Sequence, residues 1–299
     1  MSSLAYFPYL LAIGANLCFG TASIAFSRFS VSHSPGWINQ LKVSVAFLGF
    51  IVAFFLLESY VSLTFTANAY LLGSGFIGLC VGDLFLFRAF ATLGPSRTLV
   101  LYSFQPFLLA VYGYFFLGQT LTLYQDAAIF CMIACVLTFL WERNRVHGKF
   151  DIAAFSLAFL GILLDAVGVM LSRQAYETNA ELGSFQVNAT RALGALMGFF
   201  LLNPKSFYSL FNDLKVMEKK ERTLALSASF LGTFISLSLY LRALKTAHVA
   251  TLTAISITLP IWVSLIEHVR LQVWPNRYLW FAFFLFLLGF TFMNLPHSP

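Results

Sequence analysis

Along the whole chain, apolar stretches of about 20 residues alternate with short polar or charged breaks. A stretch of that length crosses a hydrocarbon core of about 30 Å as an α-helix. Lipid offers no hydrogen bonds, so each backbone N–H and C=O must be satisfied within its own segment, which leaves helices as the form of these stretches. With breakers and charges as boundaries, the pattern predicts ten spans: 6–27, 37–57, 69–89, 97–117, 122–141, 152–172, 184–202, 223–244, 248–268 and 275–294. Turns as tight as Gly118-Gln-Thr-Leu-Thr122 force neighbouring spans into antiparallel hairpins. The expectation is an all-α integral membrane protein with ten transmembrane helices.

The pattern also repeats. Phe76 to Pro106 returns without gaps as Phe230 to Pro260, so that Gly78 matches Gly232, Arg88-Ala89 matches Arg242-Ala243, Thr92 matches Thr246 and Pro106 matches Pro260. Upstream, Asn39, Lys42 and Gly49-Phe50 answer Asn188, Arg191 and Gly198-Phe199. Both halves carry the same parts in the same order, which divides the chain into 1–145 and 146–299, joined through the charged stretch Trp141 to Lys149. Each half holds five spans. Five is odd, so the second half enters the membrane with the opposite orientation. Two inverted five-helix repeats meeting around a midplane site are the construction of many secondary transporters.

Composition and charge refine this picture. Hydrophobic residues make up 59% of the 299 and charged residues 10%, against about 25% charged in a soluble domain. The location expected is the cell membrane, with many passes, and the inner membrane if the source is bacterial. Met1 to Phe7 carries no Lys or Arg and the first apolar run is as long as the rest, so the first helix is read as retained. Numbered along the chain, the odd loops carry Arg28, Arg88, Arg97, Arg143, Arg145, Lys149, the basic residues of Lys205 to Arg222, Arg270 and Arg277, while the even loops carry Arg173, Arg242 and Lys245. The positive-inside rule then puts odd loops in the cytoplasm and both termini outside. This asymmetry accounts for the net charge of +6, so no nucleic-acid partner is called for. Cys18, Cys80, Cys131 and Cys135 fall inside apolar spans without a Cys-x-x-Cys motif or a histidine cluster, which calls for neither disulfide, metal nor cofactor. No nucleotide-binding loop is present, which disfavours an ATP-driven pump.

Candidate chemistry sits where charge is expensive, because ionisable residues inside a membrane face a bundle interior or a wet cavity by default. Asp165 is about 20 Å into its span at 1.5 Å per residue, near the middle. Asp83 is roughly 9 Å from the end of its span. Lys42 and Arg191 hold matching positions in the two halves and should flank one central cavity as anchors for an anionic group on a substrate. Lys42 is shallow enough to snorkel its ammonium to the headgroups instead, and Asp83 or Asp165 can serve either to neutralise these cations or to carry protons. Asn16, Asn39, Asn188 and Gln105 lie at depths suited to lining the same site, with interhelical hydrogen bonding as the simpler role. Pro106 and Pro260 are matched helix breakers inside spans and are expected to bend them, shaping or gating the cavity. Gly78-x-x-x-Gly82 and Gly194-x-x-x-Gly198 permit close helix approach within one subunit, leaving monomer and homodimer both open.

The run Gly78 to Arg88-Ala89, the loop with Gly94 and Arg97-Thr98, Gln105-Pro106 and the turn Phe116-Leu-Gly-Gln-Thr-Leu-Thr122 resemble the EamA family of the drug/metabolite transporter superfamily. That family's turn usually reads Leu-Gly-Glu; here it is Leu117-Gly118-Gln119 in one half and Leu271-Gln-Val-Trp274 in the other. The resemblance implies ten helices in two inverted repeats, a central cavity, movement of small metabolites, often outward, and cytoplasmic termini, opposite to the charge bias. The function expected is secondary transport, as exporter or exchanger, of a small polar metabolite such as an amino acid, by alternating access and with protons as a coupling ion. A membrane-embedded lipid-modifying enzyme would instead need a catalytic cluster at one interface, such as paired His and Asp, and the chain carries none. A non-transporting scaffold would tolerate loss of both Lys42 and Arg191.

Overall fold

The apolar stretches are helical throughout the residues that the computed structural model describes, which are 7–102, 104–105, 152–246 and 277–293 with single positions between 124 and 141 and between 259 and 269. In chain order the helices are α1 (Phe7–Ser32), α2 (Pro35–Leu57), α3 (Phe65–Leu93), α4 (Pro95–Tyr102), α5 (Ile152–Thr178), α6 (Ser184–Leu202), α7 (Ser206–Val216), α8 (Lys219–Lys245) and α9 (Arg277–Met293). Of these, α1, α2, α3, α5, α6 and α8 are long and apolar enough to cross a membrane. Local chemistry sets several boundaries. Ser34 accepts from Trp37 N at 3.0 Å ahead of Pro35, and Thr64 accepts from Ala67 N at 3.1 Å, so both helices start on a hydroxyl cap. Gly94, at φ 82°, supplies the left-handed residue that ends α3 before Pro95 starts α4.

Two features were absent from the sequence reading. The stretch Asn203 to Arg222, read from the sequence as the longest loop with Lys215 to Arg222 as a solvated juxtamembrane helix, holds the separate helix α7 mostly ahead of that charged run, and α8 starts at Lys219, earlier than the predicted 223. Within α3 and α8 the backbone widens into π-helical turns over Gly75–Gly82 and Phe230–Ile235. The repeat that matches Phe76 to Phe230 brings these two turns into register, one in each half. The predicted spans 97–117, 122–141 and 248–268 lie largely outside the described residues, as does Pro106; Pro260 occupies a buried helical position.

The halves interlock. Helix α3 packs against α5 and α6, whereas α8 packs against α1 and α2, and α2 meets α6 between them. Each half thus lends its third helix to the other. Gly14 faces Leu239 and Arg28 pairs with Glu221, so α1 and α8 run antiparallel. Glu58, at the end of α2, accepts from the backbone N–H groups of Phe185 and Gln186 at 3.0 Å, so α6 starts where α2 finishes and the two matched helices run in opposite directions. A carboxylate there also complements the positive end of the α6 dipole.

Close backbone contact, not hydrophobic drive, holds helices together in lipid, and the small residues sit where it happens. Gly82 faces Gly161 and Gly78 faces Gly168 across α3 and α5. A Cβ at Gly75 would collide with the backbone carbonyl of Arg191, and one at Gly194 with that of Leu72, so α3 and α6 touch main chain to main chain. Taking the end at which α1 starts as lower, an apolar cluster including Phe26, Phe29, Phe87 and Phe155 fills the upper part and a smaller one including Leu71, Tyr176 and Leu241 the lower. Large apolar side chains such as Phe55, Leu56 and Phe200 point outward, as a lipid-facing surface requires.

Candidate functional site

Between the two apolar clusters lies a cavity of about 90 Å³. Six of the expected residues line it: Asn16 from α1, Lys42 from α2, Asp83 from α3, Gln105 just beyond α4, Asp165 from α5 and Arg191 from α6. The register that matches Lys42 to Arg191 also matches Asn16 to Asp165, so both halves contribute corresponding positions to one space. Helix α8 supplies Thr233, Ser236 and Tyr240.

Lys42 and Asp83 form a buried ion pair, Nζ to Oδ2 at 2.5 Å, with side chains 4% and 8% exposed. The ammonium also lies 4.8 Å from the centroid of the Phe87 ring, a favourable cation–π placement. Lys42 therefore turns inward instead of snorkelling. The pair joins α2 to α3 within one half, and Asp83 begins the α-helical part of α3 immediately after its π-helical turn.

The other two charges are held differently. Both Tyr102 Oη and Gln105 Nε2 donate to Asp165 Oδ2, at 2.6 and 2.8 Å, so this carboxylate is oriented by neutral donors. Arg191, 1% exposed, donates from Nε to Ser74 Oγ at 2.8 Å, and Ser74 in turn donates to Gly168 O at 2.6 Å beside Ser172. Among the described residues its Nη1, which is buried, has no hydrogen-bond partner, and neither has Thr233 Oγ1. Among the described residues Arg191 makes no ion pair. The cavity consequently has one neutralised pair, one carboxylate fixed by neutral donors, and one guanidinium with an unused donor. Leaving such a donor unmade costs about 1–3 kcal/mol, more for a charged group, which an incoming acceptor would recover.

Asn39 and Asn188 do not line the cavity. Each is fully buried and ties the second helix of its half to the π-bearing one, Asn39 Nδ2 to Cys80 O at 2.9 Å and Asn188 Nδ2 to Leu237 O at 3.2 Å. Tyr102, Tyr240, Thr233 and Ser236 escaped the sequence reading. A signal existed for the last three, which fall at helical spacing on one face of α8. A larger cavity, about 600 Å³, opens at the upper end between α2, α6 and α7, away from this charge network.

A model of the EamA-like transporter family matches residues 6–141 and again residues 152–295. Among curated proteins none matches. Of the solved structures, 26 chains match; one crystal structure aligns with a TM-score of 0.66 at 19% identity, covering 98% of this chain and 98% of the other. That likeness concerns the fold. The family consists of transporters, and its double match accounts for both the many-pass helical architecture and the paired parts of the cavity: the chain belongs to the EamA-like transporter family.

Proposed function

We propose that the protein is a secondary transporter, an exporter or exchanger, moving small polar metabolites such as amino acids across the cell membrane by alternating access at the central cavity. In this reading ten helices form two inverted five-helix repeats, 1–145 and 146–299, and the cavity lies on the interface between them. The observation that carries the proposal is the cavity's charge arrangement. Arg191 and Thr233 both line the cavity, and Arg191 Nη1 and Thr233 Oγ1 are buried and unpartnered among the described residues, while Asp165 is held by Tyr102 and Gln105 instead of by the guanidinium. A substrate carrying a carboxylate and an ammonium complements those two walls, the first at Arg191 and the second at Asp165. Asp165 serves also as the proton-carrying group, since a substrate ammonium and a proton compete for the same oxygen atoms.

The test is uptake of labelled amino acids and small organic acids into proteoliposomes, with and without an imposed pH gradient, by wild type and Asp165→Asn. Saturable, gradient-dependent flux that fails in the variant is the expected result. Flux that survives in the variant would reduce Asp165 to a structural role, and wild-type flux equal to that of empty vesicles across the pool would overturn the substrate class.

A further inference from the structure

The two π-helical turns change which backbone groups the central cavity receives. In an α-helix each N–H bonds the carbonyl four residues back, so the N–H of Asp83 would take Leu79 and that of Ser236 would take Gly232. Instead the Asp83 N–H straddles that position, reaching Gly78 O and Cys80 O, and the Ser236 N–H likewise reaches Leu231 O and Thr233 O. One carbonyl is thus passed over in each half, and Leu79 and Gly232 both line the central cavity. Gly232 has no side chain, so what it presents there is main chain. A carbonyl passed over by its helical donor keeps acceptor capacity for another partner.

Two side-chain oxygens join it. Tyr102 and Gln105 both donate to Asp165 Oδ2, which leaves Oδ1 without a hydrogen bond among the described residues. That oxygen lies against the π-helical turn of α3, since a Cβ on Gly78 would come to 3.5 Å from it. Ser236, one helical turn beyond Gly232, also lines the cavity. Neither Asp165 Oδ1 nor the Ser236 hydroxyl is among the inaccessible buried polar atoms without partners, so both open onto the cavity.

The cavity therefore gathers three acceptors, one of them charged: Asp165 Oδ1, Ser236 Oγ and Gly232 O. At about 90 Å³ it has room for a compact polar group. An alkylammonium with no further substituent carries three N–H donors and no acceptor. We infer that these three oxygens form a seat for an unsubstituted primary ammonium, one N–H to each, and that the seat selects against N-methylated amines. The inference rests on the transport reading, which puts the substrate ammonium at Asp165, and adds that this ammonium is primary. The π-helical turn of α8 then has a chemical role: it turns a helical carbonyl into part of the binding site.

The experiment is saturation-transfer NMR of ligands mixed with the purified full chain in micelles. The ligands are glycine, N-methylglycine, N,N-dimethylglycine and N,N,N-trimethylglycine, which share one carboxylate and lose one N–H at each step. Each lost charge-assisted hydrogen bond is expected to weaken binding about 10-fold. Ser236→Ala should weaken glycine about 10-fold and leave N-methylglycine, which has one N–H fewer to place, unchanged. Asp165→Asn should abolish binding of the whole series. Equal binding of the first three ligands to the wild type overturns the seat, because a lone carboxylate needs only one N–H, and leaves the transport reading standing. Equal losses of glycine and N-methylglycine in Ser236→Ala also overturn it. So does displacement of glycine by sodium chloride but not by choline chloride, since the oxygens would then hold a metal ion. Flux into proteoliposomes is read separately: a graded series without flux of any labelled amino acid or organic acid keeps the seat and removes the transport reading, whereas binding of none of the four ligands sinks the seat whatever the flux shows.

Discussion

Lys42 and Asp83 permit a quantitative test of whether the charges in this bundle are paired or solvated. Replacing Lys42 with Met leaves Asp83 buried without its cation; replacing Asp83 with Leu leaves Lys42 without its carboxylate. Breaking a buried pair by removing one partner destabilises by about 3–5 kcal/mol. Their exposures of 4% and 8% place both groups in that regime. Insertion scales give roughly 2.5–3.5 kcal/mol for a single Lys or Asp at a helix centre, a consistent range. Removing both partners leaves no orphan charge, and similar replacements elsewhere are near neutral; the lost Phe87 contact adds about 1 kcal/mol against the double variant. The double-mutant cycle should therefore give a coupling energy of at least about 3 kcal/mol, with the double variant more stable than either single one. Reversible unfolding of the purified full chain in mixed micelles, followed by tryptophan fluorescence, measures all four corners. Single variants within about 1 kcal/mol of wild type that sum to the double would refute the reasoning and place water between the two side chains.

Two further outcomes follow from the packing. Gly75→Ala puts a methyl group into the Arg191 carbonyl, where only main chain can yield; a loss of about 1–3 kcal/mol is expected on overpacking grounds, read as a lower unfolding midpoint in the same assay, while Gly73→Ala, which meets only the end of Leu171 at 3.8 Å, should be silent. Glu58→Ala removes the acceptor for two N–H groups at the start of α6; about 1–2 kcal/mol should be lost, and hydrogen exchange at Phe185 and Gln186 should accelerate while exchange in the middle of α6 stays slow.

Depth was legible in the sequence and rotation was not. Counting residues from the polar breaks located α1, α2, α3, α5, α6 and α8 and put Asp165 near the middle of its span, because 1.5 Å per residue needs no tertiary information. Whether Lys42 reached outward or inward depended on how α2 is turned against α3, which the apolar pattern leaves open when nearly every face is apolar. The same ambiguity hid the difference between Lys42, which faces the cavity, and Asn39, one turn earlier, which is spent on the Cys80 carbonyl. Tyr102 and Tyr240 were hidden for another reason: with 17% aromatic residues in the chain, a phenol is indistinguishable from packing until its hydroxyl is seen to meet a carboxylate or line the cavity. The π-helical turns carry no residue marker, since Gly75–Gly82 and Phe230–Ile235 share little beyond the matched Phe and Gly.

The exchange of third helices between the halves has a consequence for how the chain is made. When the ribosome has released α3, neither α5 nor α6, the helices it packs against, has been synthesised; α5 ends at Thr178 and α6 at Leu202, well over 50 residues beyond Leu93, an interval on the order of 5–20 s at 5–20 residues per second. For that interval the first half waits in the bilayer with the Gly75 and Gly82 face of α3 unclaimed. Its charges need not wait, because Lys42 and Asp83 belong to the same half and can neutralise each other before the rest of the protein exists. Arg191 and Asp165 arrive later, into a space whose opposite wall is already built, and the two halves expressed as separate polypeptides would each lack the groove that its third helix fills.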